Sequence, residues 1–443
     1  MPDDLPPDPQ NLEPFTVSRR AWLGRVAGVS TTLGLAAVGS HRRLVPSLGP
    51  EPDLVPGVST WYATSCRECP AGCGMLVRNR EGRAVKCEGN PDHPISQGRL
   101  CARGQAALQG LYDPDRLRGP LHQGQPISWD AALQALGEVL RPLRGRGRVA
   151  LISDLQSGSL ATLIRRWLAL FGSDRYLVYE PLSYDATREA NQRLFERPII
   201  SVPSLDKADF ILSFGADFLE TWLSPVQFTR QFAANRGARF VYVGPRVSMT
   251  AANADERILV RPGDERFVAL AVLQVLKQES LIRASPLIVV PRVRDYAPDK
   301  VGPRVGIAPE TLRRVALDFG RARSPVALSG DPLASGRAAV ETALAATQLN
   351  LSVGPLPFDV GAAHALSDVA SAGEVGTFLE ALRSDPVDVL LVVGANPAYS
   401  TGEDFASAAQ AAKHVVTLTP FADETAARSQ WVLPMHTPLE SWG

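Results

Sequence analysis

The chain has 443 residues, 45% hydrophobic and 21% charged. That balance suits two or three packed globular domains and argues against both intrinsic disorder and a polytopic membrane protein. Lys and Arg number 46 and Asp and Glu 46, so the formal net charge is zero and no overall basic field exists to hold nucleic acid.

At the N-terminus, residues 1–15 are rich in Pro and Asp, a composition that does not bury enough apolar surface to fold. Ser18-Arg19-Arg20-Ala21-Trp22-Leu23 follows, and then an uncharged run over residues 26–40. That run is short of the ~20 apolar residues that span a bilayer. A short apolar stretch behind paired arginines reads as a twin-arginine (Tat) export signal over residues 1–45. The competing reading is an amphipathic helix with a chance Arg-Arg pair. His41-Arg42-Arg43 leaves both a cleaved signal and a retained anchor open. Residues 46–58, with Pro46, Pro50, Pro52 and Pro56, read as a linker.

All five cysteines fall between residues 66 and 101. Cys66, Cys69 and Cys73 form a C-x2-C-x3-C run on a loop with Pro70, Gly72 and Gly74, and Cys101 returns from farther along. Four thiolates converging on a small volume suit a [4Fe–4S] cluster. Zinc is a weaker reading, because its sites usually pair two C-x2-C knuckles. A thioredoxin-like pair would not carry a third cysteine so near, and structural disulfides stay open in an oxidising compartment. Cys87, in the strand-like Ala84-Val85-Lys86-Cys87, reads as a small buried hydrophobe. These residues define an iron–sulfur domain over 59–118.

Beyond residue 120, short apolar runs at 149–153, 210–214, 240–243, 326–328 and 387–393 read as buried strands. Amphipathic stretches at 162–171, 183–195, 225–235, 266–277, 310–319 and 338–349 read as helices. Their alternation predicts α/β layers around doubly wound parallel sheets, divided here into domains 119–295 and 296–443. Several expected strands end in glycine, among them Gly215 and Gly394, where backbone can approach a ligand. Each such glycine is equally explained as an ordinary strand-to-helix turn.

The cysteine block, Gly82-Arg83-Ala84-Val85-Lys86, Glu88-Gly89-Asn90-Pro91-Asp92-His93-Pro94 and Gly98-Arg99-Leu100-Cys101-Ala102-Arg103-Gly104 together resemble the iron–sulfur segment of the molybdopterin oxidoreductases, the dimethyl sulfoxide reductase superfamily. Gly394-Ala395-Asn396-Pro397 and Thr419-Pro420-Phe421 continue that resemblance toward the C-terminus. It implies that Cys66, Cys69, Cys73 and Cys101 hold the cluster. It places the basic Arg103 between cluster and pterin, and Arg246, Gly394 and Asn396, with Gly215 and Asp217, near a molybdopterin guanine dinucleotide. It also offers a metal ligand from the loop around Glu180 and Ser183, although Ser183 reads better as the cap of the helix beginning there. Gly244 and Thr419 stand where family members carry acids, which removes charged acceptors for nucleotide groups. The family's β-rich C-terminal domain is expected to lie outside residues 1–443.

Tyr179-Glu180-Pro181-Leu182-Ser183-Tyr184 and Leu212-Ser213-Phe214-Gly215-Ala216-Asp217-Phe218-Leu219 resemble more closely the molybdopterin-like B subunits of alternative complex III and related quinone reductase complexes. That branch shares the fold without molybdenum. The resemblance implies an exported electron-transfer subunit, working at the periplasmic face with a ferredoxin-like iron–sulfur subunit, an integral membrane quinone-binding subunit and a cytochrome c. The alternative is the N-terminal portion of a catalytic molybdopterin enzyme acting on a small oxyanion or sulfur compound.

Overall fold

A computed structural model describes residues 55–182, 184–283, 293–330, 336–354 and 358–441. The twin-arginine segment and Ser183 lie outside the described residues. The chain divides into two compact units, Met1–Ser59 and Thr60–Gly443. In the first, the described residues form a turn in which Val58 N–H donates to Val55 C=O at 3.0 Å. In the second lie the following elements.

A three-stranded sheet comes first, with strands Ser59–Ser65, Gly74–Arg80 and Arg83–Gly89 in that order. Glu81 (φ 51°) and Gly82 (φ 76°) join the last two strands. Positive φ at both turn residues matches the right-handed twist of a tight hairpin. The inner face carries Met75, Val77 and Cys87, packed with Cys66, Cys73 and Ala107 of the helix Ala102–Tyr112.

A seven-stranded sheet has the order Gln125–Pro126, Leu121–His122, Trp431–Pro434, His414–Thr419, Val389–Val393, Val149–Ser153, Tyr176–Val178. The last five strands are parallel, and Leu121–His122 pairs antiparallel with Trp431–Pro434, with Gln125–Pro126 antiparallel beyond it at the other edge. Val149–Ser153 is buried along its whole length. A strand covered by helices on both faces reads as a continuous apolar run instead of an alternating one. Ala150, Ile152, Leu390 and Val392 pack on one face against Leu379, Phe405 and Ala409. Val149, Leu151 and Val389 pack on the other against Ala132, Leu136, Ile164 and Leu168. Each such aliphatic side chain contributes about 1.5–3 kcal/mol when fully buried.

A second parallel sheet has the order Glu256–Leu259, Arg239–Gly244, Phe210–Phe214, Pro325–Ser329. Leu212, Phe214 and Val243 face Val272, Leu276, Phe319 and Leu349. Ile211, Phe240 and Tyr242 face Phe218, Trp222 and Phe228.

The expected strands 149–153 and 210–214 match end to end, and the expected helices 162–171, 225–235, 266–277, 310–319 and 338–349 correspond to Gly158–Leu170, Pro225–Ala234, Glu265–Gln278, Pro309–Arg321 and Gly336–Ser352. The helix expected to begin at 183 runs Asp185–Phe195. The helices outside these expectations include Trp129–Leu140, Ala372–Ser384 and Glu403–Ala411. The second of these carries a recognisable signal, a capping box in which Ser371 and Glu374 bond each other's backbone.

The division at residue 295 differs from the observed pairing. Val149–Ser153 and Val389–Val393 are neighbours in one sheet, while Phe210–Phe214 and Pro325–Ser329 are neighbours in another. The chain leaves the seven-stranded sheet, builds the four-stranded one, and returns. Strand partners are chosen by burial of two helix-covered faces, which a cut along the sequence does not anticipate.

In the seven-stranded sheet, successive parallel strands run outward in opposite directions from Val389–Val393 and Val149–Ser153. That reversal opens a crevice at the carboxyl ends of these two strands, where open α/β sheets take ligands.

Candidate metal centre

The cysteine loop is closed by its own backbone. Cys66 N–H donates to Cys73 C=O at 2.7 Å, and Gly72, at φ +59°, supplies the left-handed turn between them. Gly74 N–H donates to Ser96 Oγ at 3.2 Å, and Ser96 Oγ lies 3.1 Å from His93 Nδ1. The 90–99 turn is thereby clasped against the end of the loop. Asn90 N–H donates to Gly74 C=O at 3.0 Å and Gly98 N–H to Asn90 C=O at 2.8 Å, which carries the chain back to Cys101.

All five thiols are free, with Cys66 and Cys73 buried. Burial pushes the Cys66 thiol up to about 11 and the Cys73 thiol up to about 12. After burial, Cys73 is raised by the charges of Cys66, Cys69 and Cys101, and Cys66 by those of Cys69, Glu68 and Cys101. The four thiols therefore lie within electrostatic reach of one another. Buried thiolates this crowded need a positive centre, and metal coordination supplies it by deprotonating the ligand. Among the described residues, no three His, Cys, Asp or Glu side chains approach closely enough to share one ion. Four soft thiolate donors carried on one loop and its return suit a four-iron cluster.

Cys87 stands apart. It is fully buried opposite Val77, and its thiol is raised by burial and then by Glu68 and Glu88, with no cysteine among the causes. Arg103 is exposed at the start of the helix Ala102–Tyr112, and its charge opposes the burial that raises the Glu68 carboxyl.

The cysteine loop reaches the sheet crevice through Arg67. Its Nη2 donates to Gln156 Oε1 at 2.8 Å and to Asp154 Oδ2 at 3.3 Å, and Gln156 Nε2 donates to Asp154 Oδ1. Asp154 directly follows Val149–Ser153, and its N–H donates to Val393 C=O at 3.1 Å. Gly394, at φ +67°, lies under the same carboxylate: a Cβ there would sit 2.8 Å from Asp154 Oδ1. Burial raises the Asp154 carboxyl to about 6 against the opposing pull of Arg67. Glu180 is raised too, by burial first, with the Asp154 charge also contributing. Glu180, which the family resemblance offers as a candidate carboxylate donor, is an electrostatic neighbour of Asp154. Arg67, Asp154 and Gln156 were not singled out from the sequence, although an acid placed immediately after a buried strand marks a sheet-end site.

Asn396 is occupied inside the protein. Its Nδ2 donates to Glu424 Oε2 at 2.7 Å, and its Oδ1 accepts from Thr425 Oγ1 at 2.8 Å and from Thr425 N at 3.2 Å. Thr419 Oγ1 donates to Asp423 Oδ2 at 3.3 Å. At the carboxyl end of the second sheet, Gly215 (φ +74°), Asp217 and Arg246 come together. Asp217 is 1% exposed and bonded by Arg246 and Ser248, with Arg246 Nε at 3.1 Å. Both carboxylate oxygens are thus engaged internally. Ser183 lies outside the described residues.

Residues 59–113 match the Molybdopterin oxidoreductase Fe4S4 domain family, and residues 116–443 match the Molybdopterin oxidoreductase family. The chain is 28% identical over 418 residues to the menaquinone reductase molybdopterin-binding-like subunit of Nitratidesulfovibrio vulgaris, covering 88% of this chain and 60% of that protein. It is 27% identical over 374 residues to the arsenate respiratory reductase molybdopterin-containing subunit of a Shewanella species, covering 70% of this chain and 42% of that protein. The fold is similar to that of acetylene hydratase from Pelobacter acetylenicus, with a TM-score of 0.69 at 17% identity, over 85% of this chain and 63% of that one. The chain therefore spans 60% and 42% of the lengths of these two relatives.

Proposed function

The chain belongs to the molybdopterin oxidoreductase family, and from that membership we propose that it is an exported electron-transfer subunit of a membrane-associated quinone oxidoreductase complex, passing electrons through one [4Fe–4S] cluster. The observation that carries this reading is the convergence of Cys66, Cys69, Cys73 and Cys101 beside the sheet crevice. Such a cluster supplies one-electron transfer when bound. The chain's own residues do the rest. Met75, Val77 and Ala107 pack beside the buried Cys66 and Cys73, and low polarity there sets the potential along with nearby charge. Arg67 and Arg103 place positive charge on either side of the loop that carries Glu68.

The similarity to a menaquinone reductase subunit supports a quinone-linked complex. In this reading a ferredoxin-like subunit and an integral membrane quinone-binding subunit are the partners, with cytochrome c as a further carrier. The paired arginines at Arg19 and Arg20 support Tat export to the periplasmic face.

The crevice favours electron transfer over the catalytic alternative. The carboxylates Asp154 and Glu180 line it, and Arg67, the cation beside them, is already engaged by Asp154. An anionic pterin dinucleotide would meet carboxylates there, with Gly244 and Thr419 in place of the family's acids elsewhere.

Anaerobic purification, with iron and sulfide analysis, low-temperature EPR and metal mass spectrometry, tests the proposal. Four irons, four sulfides and a reducible EPR signal without molybdenum are expected, and Ser in place of any of the four cysteines should lose most of the iron. Stoichiometric molybdenum with released pterin would establish the catalytic alternative. An iron-free protein would end both readings.

A further inference from the structure

The bond between the cysteine loop and the sheet crevice joins a cation carried on that loop to a carboxylate that is partly open to solvent. Arg67 lies between Cys66 and Cys69, and its guanidinium meets Asp154 at 3.3 Å. About a third of the Asp154 side chain is exposed (35%), so protons reach it from water. We propose that Asp154 is a redox-linked proton acceptor: when the cluster held by Cys66, Cys69, Cys73 and Cys101 takes up an electron, Asp154 takes up a proton, and Arg67 couples the two charges. The inference rests on the iron–sulfur reading above and adds a proton-binding site to it.

The coupling follows from charge. A positive guanidinium carried on the loop between Cys66 and Cys69 favours the more negative, reduced cluster. Ionised Asp154 offsets that cation and so opposes reduction. Neutral Asp154 restores the cation's full effect. Reduction in turn adds negative charge within reach of the pair and makes the carboxylate hold a proton more tightly; the two effects are one linkage and must be equal.

The surroundings poise the group for this role. Four elements bring groups to face Asp154. The cysteine loop brings Arg67, and its own loop brings the neutral Gln156. The loop after Tyr176–Val178 brings Glu180, and the turn after Val389–Val393 brings the backbone of Gly394. Burial disfavours ionisation while Arg67 and the Gln156 hydrogen bond favour it, and the carboxyl is pushed up to about 6 as a result. Gln156 has a distinct part. Its Oε1 holds Arg67 Nη2 at 2.8 Å, so the guanidinium keeps its place when protonation of Asp154 weakens the contact at Oδ2. Charge then changes without movement of the cation.

The balance is one electron from a low-potential one-electron donor to the cluster and one proton from water to Asp154, forming a single O–H bond. The summed charge of cluster, Arg67 and Asp154 is unchanged by the pair of transfers.

The test is an EPR-monitored redox titration of the anaerobically purified full chain between pH 5 and 8, with dithionite as the electron source. The midpoint is expected to fall as pH rises from near 6. Each tenfold gain in proton affinity on reduction corresponds to 59 mV for a one-electron couple. Asp154→Asn should remove the slope and hold the midpoint near its low-pH value, and Asp154→Glu should restore the slope. A flat wild-type profile, or an undiminished slope in Asp154→Asn, overturns the proposal. Should Asp154→Asn fail to retain iron, Arg67→Gln is read instead: at least a halving of the slope is expected, and an unchanged slope refutes the coupling. Iron and sulfide content separates the two levels, since wild type without iron denies the cluster itself, whereas an iron-loaded protein with a flat profile denies only the proton site.

Discussion

Gly89→Ala should disable the cluster domain from a position that touches no cysteine. A Cβ on Gly89 would lie 2.5 Å from the carbonyl oxygen of Gly98 and 2.6 Å from the nitrogen of Arg99. Carbon contacts are comfortable only at ~3.5–4.0 Å, so one of the two backbones must give way by about 1 Å. Neither is free to do so. The 90–99 turn is tied at Gly98 N to Asn90 C=O (2.8 Å), at Arg99 N to Ser96 C=O (3.0 Å) and at Asn90 N to Gly74 C=O (3.0 Å). Overpacking costs about 1–3 kcal/mol, and rigid backbone on both sides places this site near 3. The displaced peptide leads directly to Cys101, so the loss is also expected in ligand geometry. Urea unfolding followed by intrinsic fluorescence, together with iron per chain, is the assay. Gly110→Ala is the control: it lies in the helix Ala102–Tyr112 with nothing within 4 Å of a Cβ, and should leave stability unchanged or raise it by up to ~1 kcal/mol. If Gly89→Ala matched wild type in both midpoint and iron, the close approach of these backbones would not be what seats Cys101.

Cys87→Ala should keep the cluster, since that thiol faces Val77 and not the other cysteines, while costing about 1–2 kcal/mol for the buried sulfur; iron analysis and the unfolding midpoint check both halves. His364 predicts an acid-side loss of stability. Burial pushes its imidazole down to about 4, and its Nδ1 accepts from Leu366 N–H at 3.2 Å. The unfolded chain binds a proton there near 6.5 and the folded chain does not, so stability is lost as pH falls from 6.5 toward 4, by up to about 3 kcal/mol. Asp154 acts with the opposite sign, because its folded-state carboxyl binds a proton already near 6. The difference in unfolding midpoint between wild type and His364→Gln, measured across that pH range, isolates the histidine; equal profiles would refute its burial as the cause.

The cysteine spacing, the loop glycine at 72 and the buried runs at 149–153 and 210–214 could be read without coordinates because each is a local property. Ligand spacing, turn conformation and an uninterrupted apolar run depend on residues close along the chain. The separation of Cys87 from the other four was legible for the same reason, from its place in a strand. The two sheets were not legible as they are. Pairing of Val149 with Val389, and of Phe210 with Pro325, is decided by which faces bury each other, and periodicity along one segment carries no information on its distant partner. The crevice followed from that pairing alone. Only the return of Val389–Val393 beside Val149–Ser153 sets Gly394 under Asp154, and only the docking of the cysteine loop gives that carboxylate Arg67. Local chemistry specified the four candidate sulfur ligands; tertiary packing supplied the charges that surround them.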